Sequence, residues 1–148
     1  MNITDDQITQ FESIIEKNGF ALAISEDEKI SEQVKVVLIN ILRILPVDLN
    51  KNLSSYLVGK IGYGYSKICK VFSVTDGITI EKYFIRLKIE RVKELIQTNE
   101  YNFTEISQLL DYSHINHLSA QFKRETGMSL SKYKSQQKNF RNPLDKVI

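Results

Sequence analysis

Apolar residues recur at helical spacing along most of the chain, and short polar breaks divide them into blocks. The clearest block runs from Asn102 to Lys134. Ile106, Leu109 and Leu110 give a first helix one apolar side, and Thr104 is placed to cap its opening turn. Asp111-Tyr112-Ser113 interrupts the pattern, with Ser113 placed to cap the next helix. Ile115, Leu118 and Phe122 then fall at spacings of three and four and point inward. The opposite face carries His114, Asn116, His117, Ser119, Ala120, Gln121 and Lys123. These side chains are short or amide-bearing, unlike the Glu/Lys mixture of an ordinary solvated face. A helix held by its apolar side and offering Asn, Gln, His and Ser outward suits the floor of a DNA major groove. Read without that chemistry, the same pattern is a plain helical hairpin.

The block occurs twice. Setting Leu53 against Phe103, an offset of 50, pairs Ser54 with Thr104 and Tyr56 with Ile106 without a gap. It also pairs Tyr65 with Ile115, Ile68 with Leu118, Phe72 with Phe122, Gly77 with Gly127, Thr79 with Ser129, and Tyr83 with Tyr133. Two copies of one supersecondary unit are a far stronger signal than one. In the first copy the outward residues are Ser66, Lys67, Cys69 and Lys70. Gly77 and Gly127 stand where the chain leaves each outward-facing helix, and Thr79 and Ser129 stand ready to cap the helix that follows. Between the copies a helical pattern continues from Ile80 to about Gln97, anchored by Tyr83, Leu87 and Leu95 with Phe84, Ile89, Val92 and Ile96. It spans roughly 25 Å, a rod compatible with the roughly 34 Å between successive major grooves once the width of the units is added. Its alternating charges, Arg86, Lys88, Glu90, Arg91, Lys93 and Glu94, are expected on a solvated outer face.

Upstream, Thr4 with Gln7 reads as a capping box, followed by an apolar stripe of Ile8, Phe11, Ile14 and Ile15 and a stop at Gly19. Residues 20–24 are short and apolar, fitting a strand or an extended connection. Ser25 with Glu28 opens a long amphipathic helix through Ile30, Val34, Val37, Leu38, Ile41 and Leu45, which must stop before Pro46. The expected division is an appendage at 1–27 that packs on the main domain or pairs two chains, a main domain at 28–138, and a tail at 139–148. The main domain divides into a first unit at 28–78, a linker helix at 79–98 and a second unit at 99–138. The fold class expected is all-α: two helix-turn-helix subdomains joined by a long linker helix, with a short helical or helix-strand appendage in front.

Charge sharpens this picture. Residues 1–50 hold 4 Lys/Arg against 9 Asp/Glu, while residues 51–148 hold 16 against 9. An acidic front and a basic remainder direct the latter toward a polyanion. The single cysteine, Cys69, forms no intramolecular disulfide and suggests a reducing compartment. No apolar run approaches the roughly 18 residues of a membrane span, and no leader is evident, so the expected location is cytoplasmic.

Two helix-turn-helix units joined by a long helix resemble the DNA-binding domain of the AraC/XylS family of bacterial transcription regulators. The resemblance is carried by KIERVKELI in the linker, FTEISQLLDYSHINHLSAQFKRETGMSLSKYK after it, and a weaker copy, YSKICKVFSVTDGITIEKY, before it. It extends from about Ser31 to Lys138. Asp111 departs from the usual Gly, which implies a tighter or more strained turn. Leu130 departs from a common Pro, and Ala120 from a longer polar or basic residue. The resemblance implies sequence-specific regulation of transcription through two recognition helices in successive major grooves. It assigns DNA contacts to Ser66, Lys67, Cys69 and Lys70 in the first unit and to His114, Asn116, His117 and Ser119 in the second. Gln121, Lys123 and Arg124 join them at the far end of the second helix, and the N–H groups near Ser54, Thr104 and Ser113 suit phosphates. Asn116 is the residue best suited to a bidentate contact with adenine.

The partners so implied are promoter or operator DNA and RNA polymerase, met by a monomer or homodimer away from any membrane. His114 and His117 lie one turn apart, but no carboxylate or cysteine nearby completes a metal site, and no cofactor is implied. No glycine-rich phosphate loop, nucleophile elbow or pair of catalytic acids appears, so an enzyme is not expected. The competing class is a degenerate helix-turn-helix module that binds another protein; basic reading faces favour DNA, and an exposed apolar patch there would favour protein.

Overall fold

A computed structural model describes residues 25–49 and 52–137, and within them every regular element is an α-helix. Helix α1 spans Glu26–Arg43, α2 Leu53–Ile61, α3 Tyr65–Asp76, α4 Ile80–Thr98, α5 Phe103–Leu109 and α6 Ile115–Thr126. A closing helix, α7, runs from 130 to 137. The capping and strand expectations for residues 1–24, and those for the tail at 139–148, lie outside the described residues. None of the helices described is long and apolar enough to cross a membrane.

The repeat has the physical form its pattern predicts. Gly77 and Gly127 end α3 and α6 in the left-handed region, at φ 69° and 79°. At such a φ a side chain would be strained, which is why both copies use glycine. The Thr79 hydroxyl accepts the Lys82 amide at 3.2 Å, and the Ser129 hydroxyl accepts the Lys132 amide at 3.1 Å. Phe72 meets Tyr83 with ring centroids 5.4 Å apart, and Phe122 meets Tyr133 at 5.5 Å. Ile68, Phe72, Leu118 and Phe122 are fully buried, so α3 and α6 are anchored through equivalent residues.

Other caps differ from expectation. Asn52 caps α2, and Asn102, not Thr104, caps α5. Their side chains accept the Ser55 and Glu105 amides at 2.8 Å each. The Glu105 carboxylate in turn accepts the Asn102 amide at 3.1 Å, completing a capping box. An Asx side chain just ahead of the helix reaches an N3 amide directly, whereas Ser54 and Thr104 already lie inside the first turn. Helix α6 is capped by His114, not Ser113: His114 Nδ1 accepts the Asn116 amide at 3.0 Å. Ser25 accepts the Glu28 amide as expected, and α1 begins at Glu26, so the division at 27/28 falls within its first turn.

One hydrophobic core runs through both units, from Val34 and Leu38 on α1, through Ile89, Val92, Leu95 and Ile96 on α4, to Leu118, Phe122 and Leu130. Helix α4 is therefore the shared wall of the two units. Its charges are not all solvated, as alternation alone suggested. Arg91 Nε donates to the Leu42 carbonyl at 3.0 Å, and the Lys88 ammonium lies 4.1 Å from the centre of the Tyr112 ring. Long basic side chains bury their stems and keep only the head available, so charge sign alone misplaces them.

Candidate nucleic-acid interface

Inward anchoring of Ile68, Val71 and Phe72 turns Ser66, Lys67 and Lys70 outward on α3, where all three are exposed. Cys69 is half-buried at the edge of that face, beside Tyr65. Burial, a 2.8 Å hydrogen bond to Glu81 and contact with Cys69 hold the Tyr65 phenol well above its usual range. Lys67 lies 4.1 Å over the Tyr63 ring, which fixes its stem while its charge remains accessible.

In the second unit Asn116 and His117 are exposed on α6 and Ser119 is half-buried. His117 Nδ1 lies 2.8 Å from Ser113 Oγ, and His114 Nδ1 is occupied by its capping bond. Each imidazole thus spends one ring nitrogen locally and offers the other. Lys123 and Arg124 are exposed in the last turn of α6. Gln121 differs from its expected free outward position. It is half-buried and matches the buried Val71 of the first unit, and its Oε1 accepts the Tyr112 hydroxyl. Its role is thereby shared with the inner face of the unit. Burial, with Glu125 nearby, raises the Tyr112 phenol to about 12, so the hydroxyl stays protonated and able to donate.

The N–H groups expected at phosphates are partly used. The amides of Ser55 and Glu105 are bound by Asn52 and Asn102, and Ser54 Oγ donates to Asn52 Oδ1 at 2.7 Å. Thr104 and Ser113 are exposed. Gly64, which precedes α3, supplies no side-chain cap.

Lys88 is the residue that sequence reasoning missed. With Asp111, Tyr112, Ser113, His117, Ala120, Gln121 and Arg124 it lines a groove of about 480 Å³ beside the outward face of α6. Burial lowers the Lys88 ammonium below its usual range, opposed by the Asp111 carboxylate. The signal was present in the small Ala120, which leaves the groove open, but only folding brings Lys88 to it.

The cations are unequally neutralised. Lys35 pairs with Asp76 at 2.6 Å, Arg91 with Glu94 at 2.8 Å and Lys93 with Glu90 at 2.8 Å. Among the described residues, Lys67, Lys70, Lys123 and Arg124 enter no ion pair. Lys29, Arg43, Lys60, Lys82, Arg86, Lys132 and Lys134, on other helices, are likewise outside those ion pairs, so the outward faces of α3 and α6 carry part of a wider unpaired positive charge, which suits a polyanion.

The helix-turn-helix domain family matches residues 57–136, just over half of the chain. A probable transcriptional regulator, LumQ of Photobacterium leiognathi, is 28% identical over 108 residues, which cover 72% of this chain and 43% of LumQ. The chain thus spans less than half of that relative's length. A transcriptional regulator from Chromobacterium violaceum, of the AraC-type DNA-binding domain-containing proteins, matches with a TM-score of 0.65 at 14% identity, over 74% of this chain and 93% of that one. The DNA-binding domain of AdpA, a global transcriptional factor solved in complex with a target DNA, matches with a TM-score of 0.62 at 16% identity, over 76% and 96%. These structural matches show a shared fold.

Proposed function

Because the chain belongs to the AraC-type helix-turn-helix family of transcription regulators, we propose that it recognises specific duplex DNA by placing α3 and α6 in successive major grooves. In this reading Lys67 and Lys70 grip phosphate or guanine from the first unit. Asn116, with His117 and Ser119, reads base edges from the second, and Lys123 and Arg124 hold the backbone. Gln121 contributes through its amide N–H groups, its carbonyl being engaged by Tyr112. Ser66 and Cys69 line the first reading face; Ser54 lies at the phosphate margin of the first unit, and Thr104 and Ser113 at that of the second. The setting is the cytoplasm, with RNA polymerase as the further partner at a promoter and a monomer or homodimer as the binding species.

The observation that carries this reading is the pair of helices anchored by matching buried residues, Ile68 and Phe72 against Leu118 and Phe122, each turning exposed cations without ion pairs outward. The protein-binding alternative calls for an apolar patch there. Of the large exposed apolar side chains described, Val36, Ile39, Ile44, Val58 and Val74, only Val74 lies on a reading helix. Selection of bound sequences from random duplex DNA tests the proposal. Two half-sites about one helical turn apart are expected, with log affinity falling against log salt by about 0.9 per phosphate contacted. No enriched sequence and a flat salt response would favour the protein-binding module.

A further inference from the structure

We infer that residues 44–49, the connection between α1 and α2, are a positioning strap that sets the separation and angle of α6 relative to α3 through the Val47 amide and the Arg91 guanidinium. The inference rests on the reading that both helices contact one DNA.

Every α-helix ends with carbonyl groups that lack an intrahelical partner. Helix α1 ends at Arg43, and its C-cap Ile44 is extended rather than left-handed, so the backbone does not fold back on the helix end. The Leu42 carbonyl is instead taken by Arg91 Nε of α4 at 3.0 Å. Helix α5 ends at Leu109, and its carbonyl is taken by the Val47 amide at 2.7 Å. The connection itself thus closes the end of α5, while the end of α1, from which the connection starts, is held by Arg91 of α4. Side chains alternate along it as in a strand. Leu45, Val47 and Leu49 face the core, with Val47 8% exposed, while Pro46 and Asp48 face out. Pro46 lines a groove with Tyr101, Glu105, Gln108 and Leu109, so the strap leans along the second unit.

The apolar core is continuous between the units and by itself supplies adhesion without a preferred register. A short N–H to carbonyl bond requires alignment as well as distance, and so it specifies where α5 ends. Asp111 and the turn into α6 follow within five residues, so displacement of Leu109 carries α6 with it.

The test uses the full chain and duplexes bearing the two half-sites found by selection, with base pairs added or removed between them. Wild-type protein is expected to lose affinity by about tenfold for a single inserted pair, which shifts the second half-site by about 3.4 Å and a tenth of a turn. Val47→Pro removes the donor, and Arg91→Met removes the second tie with a milder change, so it carries the test should the proline variant not fold. Thermal melting by circular dichroism confirms folding of each. Both variants are expected to lose less than about threefold on the same insertion, with a broadened spacing optimum. Wild-type and variant spacing profiles that superimpose overturn the strap and leave two-groove binding standing. A wild-type profile indifferent to spacing overturns both.

Discussion

At matched positions α3 carries Lys67 and Lys70 where α6 carries His117 and Ala120, and Ser73 and Val74 where α6 carries Lys123 and Arg124. The inner faces are nearly interchangeable: Ile68 and Phe72 against Leu118 and Phe122, each closed by a tyrosine from the helix that follows. A shared core with divergent faces teaches that packing constrains the repeat far more tightly than the exposed surfaces do. The first unit places charge along the outward face of α3; the second places hydrogen-bonding groups along that of α6 and charge at its end.

The strongest way to break this comparison is through the core. Phe72→Ala and Phe122→Ala should each cost about 3–5 kcal/mol, measured by denaturant unfolding. Similar losses would confirm that the cores are equivalent, and a loss confined to one variant would show that the second unit only drapes on the first. Next comes charge. Lys70→Glu should weaken operator binding by about a hundredfold, some 2.7 kcal/mol, while the circular dichroism spectrum stays unchanged. The neutral variant Lys70→Ala should reduce the salt slope by about 0.9, and Ala120→Lys should raise it by a similar amount. Asn116→Ala should behave differently. It should relax base preference at one position by about 1–3 kcal/mol and leave the salt slope unchanged. If Asn116→Ala shifted the slope and Lys70→Ala the specificity, the division of labour would be reversed.

The units also differ in what braces them. Asp76, at the end of α3, accepts the Ser31 hydroxyl and pairs with Lys35, both from α1. Burial raises its carboxyl, but the Lys35 and Ser31 contacts outweigh this and hold it below the usual range. A depressed folded value contributes stability that is present above the unfolded value, near 4, and is lost as pH falls through the folded value. Asp76→Asn should therefore cost about 1–2 kcal/mol at neutral pH and flatten the dependence of stability on pH below about 4. Melts from pH 2 to 7 would show it, and parallel curves for the two proteins would place the acid sensitivity elsewhere.

Much of this was legible in the chain because it rests on spacing. The offset of 50, the two glycine stops, and Thr79 and Ser129 as caps are local events with definite residue requirements. The N-caps expected at Thr104 and Ser113 fall at Asn102, two residues earlier, and His114, one residue later, because these side chains stand just ahead of the first helical turn and reach its free amides. Gln121 was readable in principle, since the repeat sets it against Val71, and a polar residue at a buried position needs a partner. Lys88 and Arg91 were not readable: their partners, Tyr112 and the Leu42 carbonyl, lie far away in sequence. The bond from Val47 to Leu109 joins two backbones, and a backbone group leaves no trace in residue identity.

The smallest predicted effect concerns the turns. Gly62 ends α2 at φ 88°, whereas in the second unit the left-handed residue is Asp111 at φ 61°, one position earlier in the repeat. The strain expected from an aspartate at this turn is therefore present, though Asp tolerates the left-handed region better than most residues. Asp111→Gly should relieve it, but glycine also gives the unfolded chain more freedom, and the change removes the carboxylate that helps keep the half-buried Lys88 charged. The net gain should be below about 1 kcal/mol. Asp111→Asn separates the contributions, because it keeps the tolerance for positive φ and removes only the charge. A gain for the glycine variant with a small loss for the asparagine variant would show that strain and the Lys88 interaction oppose one another here. Equal losses for both would mean that the carboxylate beside Lys88 outweighs the strain, and that the second turn is held by charge where the first is held by glycine.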